Sequence, residues 1–432
     1  MDIAVVGAGM TGLTAGIRLS QIGHRVTIYE KEPFIGGLAS SVRAGSANVD
    51  RFYHHIFVSD TEILALINEL GLKDSIDWYE PKNAIYLDYF LHPFTSPVDL
   101  LLFKPLDLIS RIRMGLLVLS SKFIRDYTPF ETVTAKDWII KRSGKKAYEK
   151  IWEPLLKSKF DIDSDNVSGT WIWNKFKLRG SSRGKNIGRE KLGYMDNGFI
   201  VLLDKMADYI KQQGGSVKLS SEVISINKTE NGKIELKTTA GISYYDRVLF
   251  TGAPRLLADI CHELPSSYSK TLEDIKYKAN ICLILELEES LSPYYWITVS
   301  QKGFPFVLVI EHTNLVGTNG YGSHIVYLSR YCDMTDPIYS MSDHEIISKF
   351  ITGLKIIFPN FNDNNIIKAS LSKAPLAQPV VTLNYSSRIP GLKTPLEGVF
   401  LASMSQIYPE DRGLNYAVRL GEKAANEIID DL

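Results

Sequence analysis

The chain opens with four apolar residues, Ile3-Ala4-Val5-Val6, that leave no face for water. That is the pattern of a strand covered on both sides in a parallel sheet. A glycine-rich turn, Gly7-Ala8-Gly9-Met10-Thr11-Gly12, follows, and helical periodicity then runs from Thr11 to about Ile22. Arg25 to Tyr29 reads as a second strand and ends at Glu30, eighteen residues past Gly12. Helical spacing returns at 61–70, closed by Gly71, and at 135–142 and 145–159, which Gly144 separates. Thr134 is placed to cap the first of that pair. Further helices are expected at 199–213, before Gly214-Gly215, at 343–356 and at 414–430. Strands are expected at 86–94, 216–219, 222–228, 233–239, 242–245, 279–287, 295–299, 306–311, 324–331 and 399–402, with a further apolar strand from Asp246 into the Thr251-Gly252 turn.

Two stretches depart from these patterns. Between 100 and 124 a strongly apolar run is interrupted by Lys104, Asp107, Arg111, Arg113 and Lys122, which predicts amphipathic helices broken at Lys104-Pro105. Their plain reading is a buried helical layer. From Lys175 to Arg189 the chain is rich in Lys, Arg, Gly and Ser, with Arg179, Arg183, Lys185 and Arg189. It reads as a connection, either solvated or closing over a phosphate or carboxylate.

A chain of 432 residues exceeds one simple core, so two interleaved domains are expected. Segments 1–80, 190–275 and 385–432 would form a nucleotide-binding domain, and 81–189 with 276–384 a substrate domain. Lys plus Arg and Asp plus Glu balance at 49 each, and no basic excess points to nucleic acid. Cys261, Cys282 and Cys332 lack metal-ligand spacing, so no metal is expected and a reducing, cytoplasmic compartment is. Neither a signal peptide nor an apolar stretch long enough for a membrane span is read. Oligomeric state is left open.

The opening segment carries the first chemistry. Gly7 allows the tight turn, Gly9 lets backbone approach a pyrophosphate, and Gly12 lets helix and strand lie close. Met10 and Thr11 begin a helix whose amides and dipole would face the phosphates, and Glu30 stands where a ribose is bound. NAD and FAD both fit this motif. No acid–base dyad and no Ser or Cys nucleophile motif emerges, as expected where the reactive atom belongs to a cofactor.

The continuation Glu30-Lys31-Glu32-Pro33-Phe34-Ile35-Gly36-Gly37-Leu38 resembles the extended fingerprint of FAD-dependent enzymes in the amine oxidase, protoporphyrinogen oxidase, phytoene desaturase and UDP-galactopyranose mutase superfamily. Leu38 stands where that motif often has Arg. The resemblance implies FAD, with Gly36 and Gly37 against its pyrophosphate and ribityl chain and Lys31 and Leu38 beside them. It implies adenine at Val223, close backbone at Thr251-Gly252, and the pyrimidine end of the flavin at Arg412-Gly413-Leu414-Asn415. Relatives carry Gly-Asp after the last strand; here Ser403-Met404 stands there, and Asp411 is the carboxylate that would compensate.

Tyr53-His54-His55-Ile56-Phe57 resembles a mutase segment near the flavin, although Arg51 and Phe52 replace the usual glycine. If this is a strand, alternation lets one histidine face a site, and His55 is the candidate. Tyr148 to Phe160 resembles the superfamily's Trp, Pro-Leu-Leu, Lys, Phe element, which makes Lys157 a candidate with Lys159; Arg179 is a third catalytic candidate. In such enzymes the 100–124 helices cover the substrate cavity or rest peripherally on a membrane. The implied fold is α/β: a Rossmann-like, glutathione reductase-type FAD domain, with an α+β substrate domain of a mixed sheet and a helical layer. The implied function is an FAD-dependent oxidoreductase transferring hydride to flavin N5 from a small-molecule substrate, anionic and nucleotide- or lipid-linked to a sugar. A mutase-like sugar isomerase and a non-catalytic FAD-binding protein are the alternatives.

Overall fold

The computed structural model describes residues 1–181 and 190–431, with the side chains of 179–181 excepted. Its first sheet is five-stranded and wholly parallel, in the order Ser216–Lys218, Arg25–Tyr29, Asp2–Val6, Arg247–Phe250, Val399–Leu401. Ile3, Ala4 and Val5 are fully buried, as a central parallel strand requires. The helices Met10–Gln21, Ile200–Gln212 and Leu414–Ile429 pack on it. Their contacts depend on glycines: a Cβ at Gly421 would lie 2.5 Å from the Thr11 carbonyl oxygen, and one at Gly16 2.9 Å from Ile210. A three-stranded antiparallel sheet, 223–245, flanks this core.

The second large sheet has seven strands, in the order Ile366–Pro379, Tyr277–Leu287, His324–Cys332, Leu308–Glu311, Trp296–Val299, Asn83–Leu87, Phe90–Pro93. It is mixed: only the Trp296–Asn83 pairing is parallel. Helices from 97 to 181 form a layer with their own core around Trp138, Trp171, Trp173 and Phe160. The α/β class, with its Rossmann-type sheet, mixed sheet and helical layer, is as expected.

Three expectations change. The expected helix 145–159 is divided into Lys145–Ala147, a π-helical turn Tyr148–Trp152, and Glu153–Phe160. The first part of the expected 175–189 connection belongs to a helix, Gly169–Ser181, while Arg183, Lys185 and Arg189 lie outside the described residues. Residues 51–55 are not a strand, so alternation does not govern His54 and His55.

Asp50 fastens the junction between the two sheets. Its carboxylate accepts the Phe199 N–H at 3.2 Å, and its backbone oxygen accepts the Tyr327 hydroxyl at 2.8 Å. Burial pushes the carboxyl up to about 7, against the pull of the Tyr194 hydroxyl and the Phe199 amide. The folded chain therefore holds this proton more tightly than the unfolded chain, whose aspartate titrates near ~4. Stability is expected to fall as pH rises from about 4 to about 7, and Asp50→Asn is expected to flatten that fall. Urea midpoints of parent and variant across the window check this; parallel curves would refute it.

Candidate functional site

The glycine turn closes as the chemistry of a dinucleotide cradle demands. Gly7, at φ +109, donates its N–H to the Tyr29 carbonyl at 2.8 Å, and a Cβ there would meet Thr251 Oγ1 at 2.4 Å. A Cβ at Gly12 would lie 2.0 Å from the Gly7 carbonyl oxygen. Gly36 N–H donates to the Ala8 carbonyl at 2.8 Å, and Gly36 bridges Gly9 in parallel, so the two glycine motifs join into one wall. Glu30 is buried and accepts the N–H groups of Ala8 (2.9 Å) and Glu32 (3.0 Å). Thr251 Oγ1 donates to the carbonyls of Val6 and Gly7, which ties the strand ends together.

Gly9 differs from its neighbours. Its φ of −78 is open to any residue, and a Cβ there would meet nothing within 4 Å. No side chain caps the helix it begins. The wall thus has the room and the free donors that an anionic dinucleotide needs, and the residues present fit that group. Leu38 lies half-buried in the turn after Gly36, Lys31 is exposed, and Val223 begins a strand beside the cradle.

A cavity of about 310 Å³ lies between the helical layer and the mixed sheet. Tyr53, His54 and His55 line one side, Tyr295 and Trp296 the sheet side, Trp152, Lys159, Trp171 and Lys175 the helical side, and Arg412 to Tyr416 its end. The helix Leu414–Ile429 begins there at Gly413 without a side-chain cap, so its positive end faces the cavity. Asn415 spends its side chain on the Ile63 N–H (3.0 Å) and on Glu62 (2.8 Å), which leaves its backbone for any ligand.

The charged group at this end was not assembled from the sequence. Asp411, buried, holds Lys159 and Lys175 at 2.6 Å each and accepts Gln378 Nε2 at 3.3 Å. Both ammonium groups also lie over Trp171. Arg412 donates to the Tyr331 hydroxyl (2.6 Å) and to Gln378 Oε1 (2.8 Å). Burial acts to raise the Asp411 carboxyl, but the two lysines and Arg412 outweigh it and hold it well below the usual carboxylate range. Asp411 is thus committed to cations rather than left to stand in for the missing Gly-Asp.

His55 Nδ1 is 3.3 Å from the Tyr295 hydroxyl, and its ring packs edge-on against Phe57. His54 lines the cavity too, which corrects the one-histidine expectation. Burial and then the Arg412 charge lower it to about 3, so its ring is neutral at neutral pH. Asp60, also on the wall, is pushed up to about 6 by burial, against the Phe57 N–H.

Lys157 is corrected. It lies 53% exposed, paired with Glu153 at 2.7 Å on the outer helix face, and Lys159 and Lys175 take the inner positions instead. The side chain of Arg179 lies outside the described residues.

A family model described as flavin containing amine oxidoreductase matches residues 10–429. A relative from Synechococcus elongatus, provisionally named zeta-carotene desaturase, is 22% identical over 491 residues, which covers 100% of this chain and 99% of that protein. A crystal structure from Exiguobacterium sp. 255-15, provisionally named protoporphyrinogen oxidase, matches with a TM-score of 0.80 at 18% identity, covering 100% and 99% of the two chains. Reduced UDP-galactopyranose mutase matches with a TM-score of 0.75 at 13% identity, covering 99% and 95%. At these identities the two structures share the fold with this chain.

Proposed function

The chain belongs to the flavin-containing amine oxidoreductase family, and we propose that its flavin is FAD and that it dehydrogenates an amphipathic, anionic carbon substrate. Glu30, Gly9, Gly36 and Gly37 would hold the dinucleotide, and the turn Arg412-Gly413-Leu414-Asn415 would hold its ring end. When bound, the flavin supplies the acceptor for a hydride. The observation that carries the substrate reading is the cavity: aromatic rings along its walls, and at one end Lys159 and Lys175 paired with Asp411 beside Arg412. Lys159, Lys175 and Arg412 gather around Asp411, while Asp60 and Glu190 line the same cavity, so its described lining holds three cations and three carboxylates. An anionic group on the substrate would be drawn by the local cluster of Lys159, Lys175 and Arg412 rather than by a net charge. The rings of Trp171, Tyr295 and Trp296 suit an apolar or ring-bearing body. The sugar of the sequence-based expectation has no counterpart in these features. His54, neutral, can bond a polar group without adding charge, and Asp60 takes the proton that leaves with the hydride.

The test begins with the visible spectrum of the purified protein and identification of the cofactor released by heat. The expected result is an oxidised-flavin spectrum with FAD in the supernatant. Anaerobic mixing with prenyl phosphates, uncharged polyenes and amines should bleach the spectrum with the anionic compounds, faster as pH rises through about 6 and Asp60 ionises. Bleaching by uncharged polyenes alone would refute the anionic reading. Conversion that needs prereduced protein, without net bleaching, would favour the isomerase. A colourless protein that takes up no added FAD would end the cofactor assignment.

A further inference from the structure

The strand Trp296–Val299 runs parallel to Asn83–Leu87, with Trp296 beside Asn83 and Thr298 beside Ile85. Side chains alternate across a sheet, so these four share one face. Ser300 N–H donates to the Tyr86 carbonyl at 2.9 Å, which extends the pairing and puts Ser300 on the same face. Ile85 packs into the core of the helical layer, whereas Ala84, Tyr86, Ile297 and Val299 point into a separate core behind the sheet. The first face therefore meets Ile151, Trp152 and Leu155, and a chamber of about 50 Å³ lies between them. Asn83, Trp152, Leu155, Trp296 and Thr298 also line the main cavity, so the chamber adjoins it at the rings of Trp152 and Trp296.

Three residues that line the chamber carry buried side-chain atoms with no hydrogen-bond partner among the described residues: Asn83 Oδ1, Trp152 Nε1 and Ser300 Oγ. Trp152 is 7% exposed and Ser300 3%, so water does not reach them freely. A polar group sealed away unpaired is costly, and three around one space point to an occupant that pairs them. Their chemistry specifies it. Trp152 Nε1 donates only, Asn83 Oδ1 accepts only, and the Ser300 hydroxyl does either. One hydroxyl group, with a single O–H and two lone pairs, matches that set. No charged side chain lines the chamber, so nothing there would offset a buried charge. Leu155, on the chamber, and Lys159, at the charged end of the main cavity, stand four residues apart on one helix face, so both ends belong to one elongated space. We propose that the chamber is a substrate subsite that takes an uncharged hydroxyl group, held by Trp152, Ser300 and Asn83. The assignment rests on the reading of the main cavity as the substrate site.

The test uses two uncharged isomers, hexan-1-ol and methyl pentyl ether, which differ in having or lacking the O–H. Titration of the purified protein, followed by tryptophan fluorescence, is expected to show the alcohol bound at least about tenfold more tightly. Ser300→Ala and Asn83→Leu should each narrow that preference to within about threefold and leave the affinity for the ether near that of the parent. Ser300→Ala removes a hydroxyl that bonds nothing in the protein, so this variant should keep its melting temperature and its bound flavin, which separates a lost subsite from misfolding. Equal binding of the two isomers by the parent, a preference that both variants retain, or a crystal of the hexanol complex with ordered water in the chamber and the alcohol elsewhere would each overturn the proposal. Neither the flavin spectrum nor its bleaching enters these titrations, so the subsite and the anionic substrate reading can fail separately.

Discussion

Replacing Asp411 with alanine is expected to cost the folded protein about 3–5 kcal/mol, the range for stranding buried charges by removing their partner. This carboxylate is 6% exposed and serves Lys159, Lys175 and Gln378 at once, with the Arg412 charge beside it. Without it, Lys159 keeps the face of Trp171 but loses its counter-ion, and Lys175 and Arg412 repel it unopposed. The exposed pair Lys157–Glu153 has nearly the same separation, 2.7 Å, yet Lys157→Ala is expected to cost at most about 1 kcal/mol because water screens it. Distance is the same; burial decides. Adding Lys159→Met to Asp411→Ala should recover part of the loss, since one stranded cation is then gone.

The pH dependence has a definite sign. The Asp411 carboxyl is held below its unfolded value, so its contribution is full above the ordinary carboxylate range and is lost as pH falls below about 4. Parent and variant should converge in stability at acid pH. Urea unfolding at neutral and acid pH measures both effects, and a loss no larger than that of Lys157→Ala would refute the account.

What the sequence made legible was local. Strand, glycine turn, helix and terminal acid follow each other within thirty residues, and their backbone geometry is set by those same residues, so Gly7, Gly12 and Glu30 could be placed in advance. The charged cluster is different in kind. Asp411 lies 252 residues from Lys159, and Arg412 81 from Tyr331, so only the packed helical layer brings them together. Helix Gly169–Ser181 hid because Trp171, Ile172, Trp173 and Phe176 are buried on several sides, facing both the cavity and the layer's own core, and leave no amphipathic period. The resemblance around Trp152 to Phe160 names Lys157 together with Lys159 but carries no helical phase; the fold turns Lys159 inward to Asp411 and leaves Lys157 on Glu153 at the outer face.

Gly9→Ala should separate folding from cofactor binding. The other glycines of the turn are fixed by the protein itself: Gly7 by its positive φ, and Gly12 by the Gly7 carbonyl oxygen 2.0 Å from where a Cβ would stand. Gly12→Ala must displace backbone, so its melting temperature is expected to fall with or without flavin. Gly9 has neither constraint. Its backbone is extended and its side is empty, so alanine fits the apoprotein without strain. If the glycine is there to let a pyrophosphate approach, the methyl group occupies ligand space and costs about 1–3 kcal/mol of binding, the range for one group too many in a packed contact. That corresponds to an FAD dissociation constant raised roughly 5- to 150-fold at about 1.4 kcal/mol per decade. The expected pair of results is an apoprotein that melts as the parent does and a fluorescence titration with FAD shifted to weaker binding. Unchanged affinity would move the dinucleotide away from this turn, and a lowered apoprotein melting temperature would show that a contact within the protein requires the glycine.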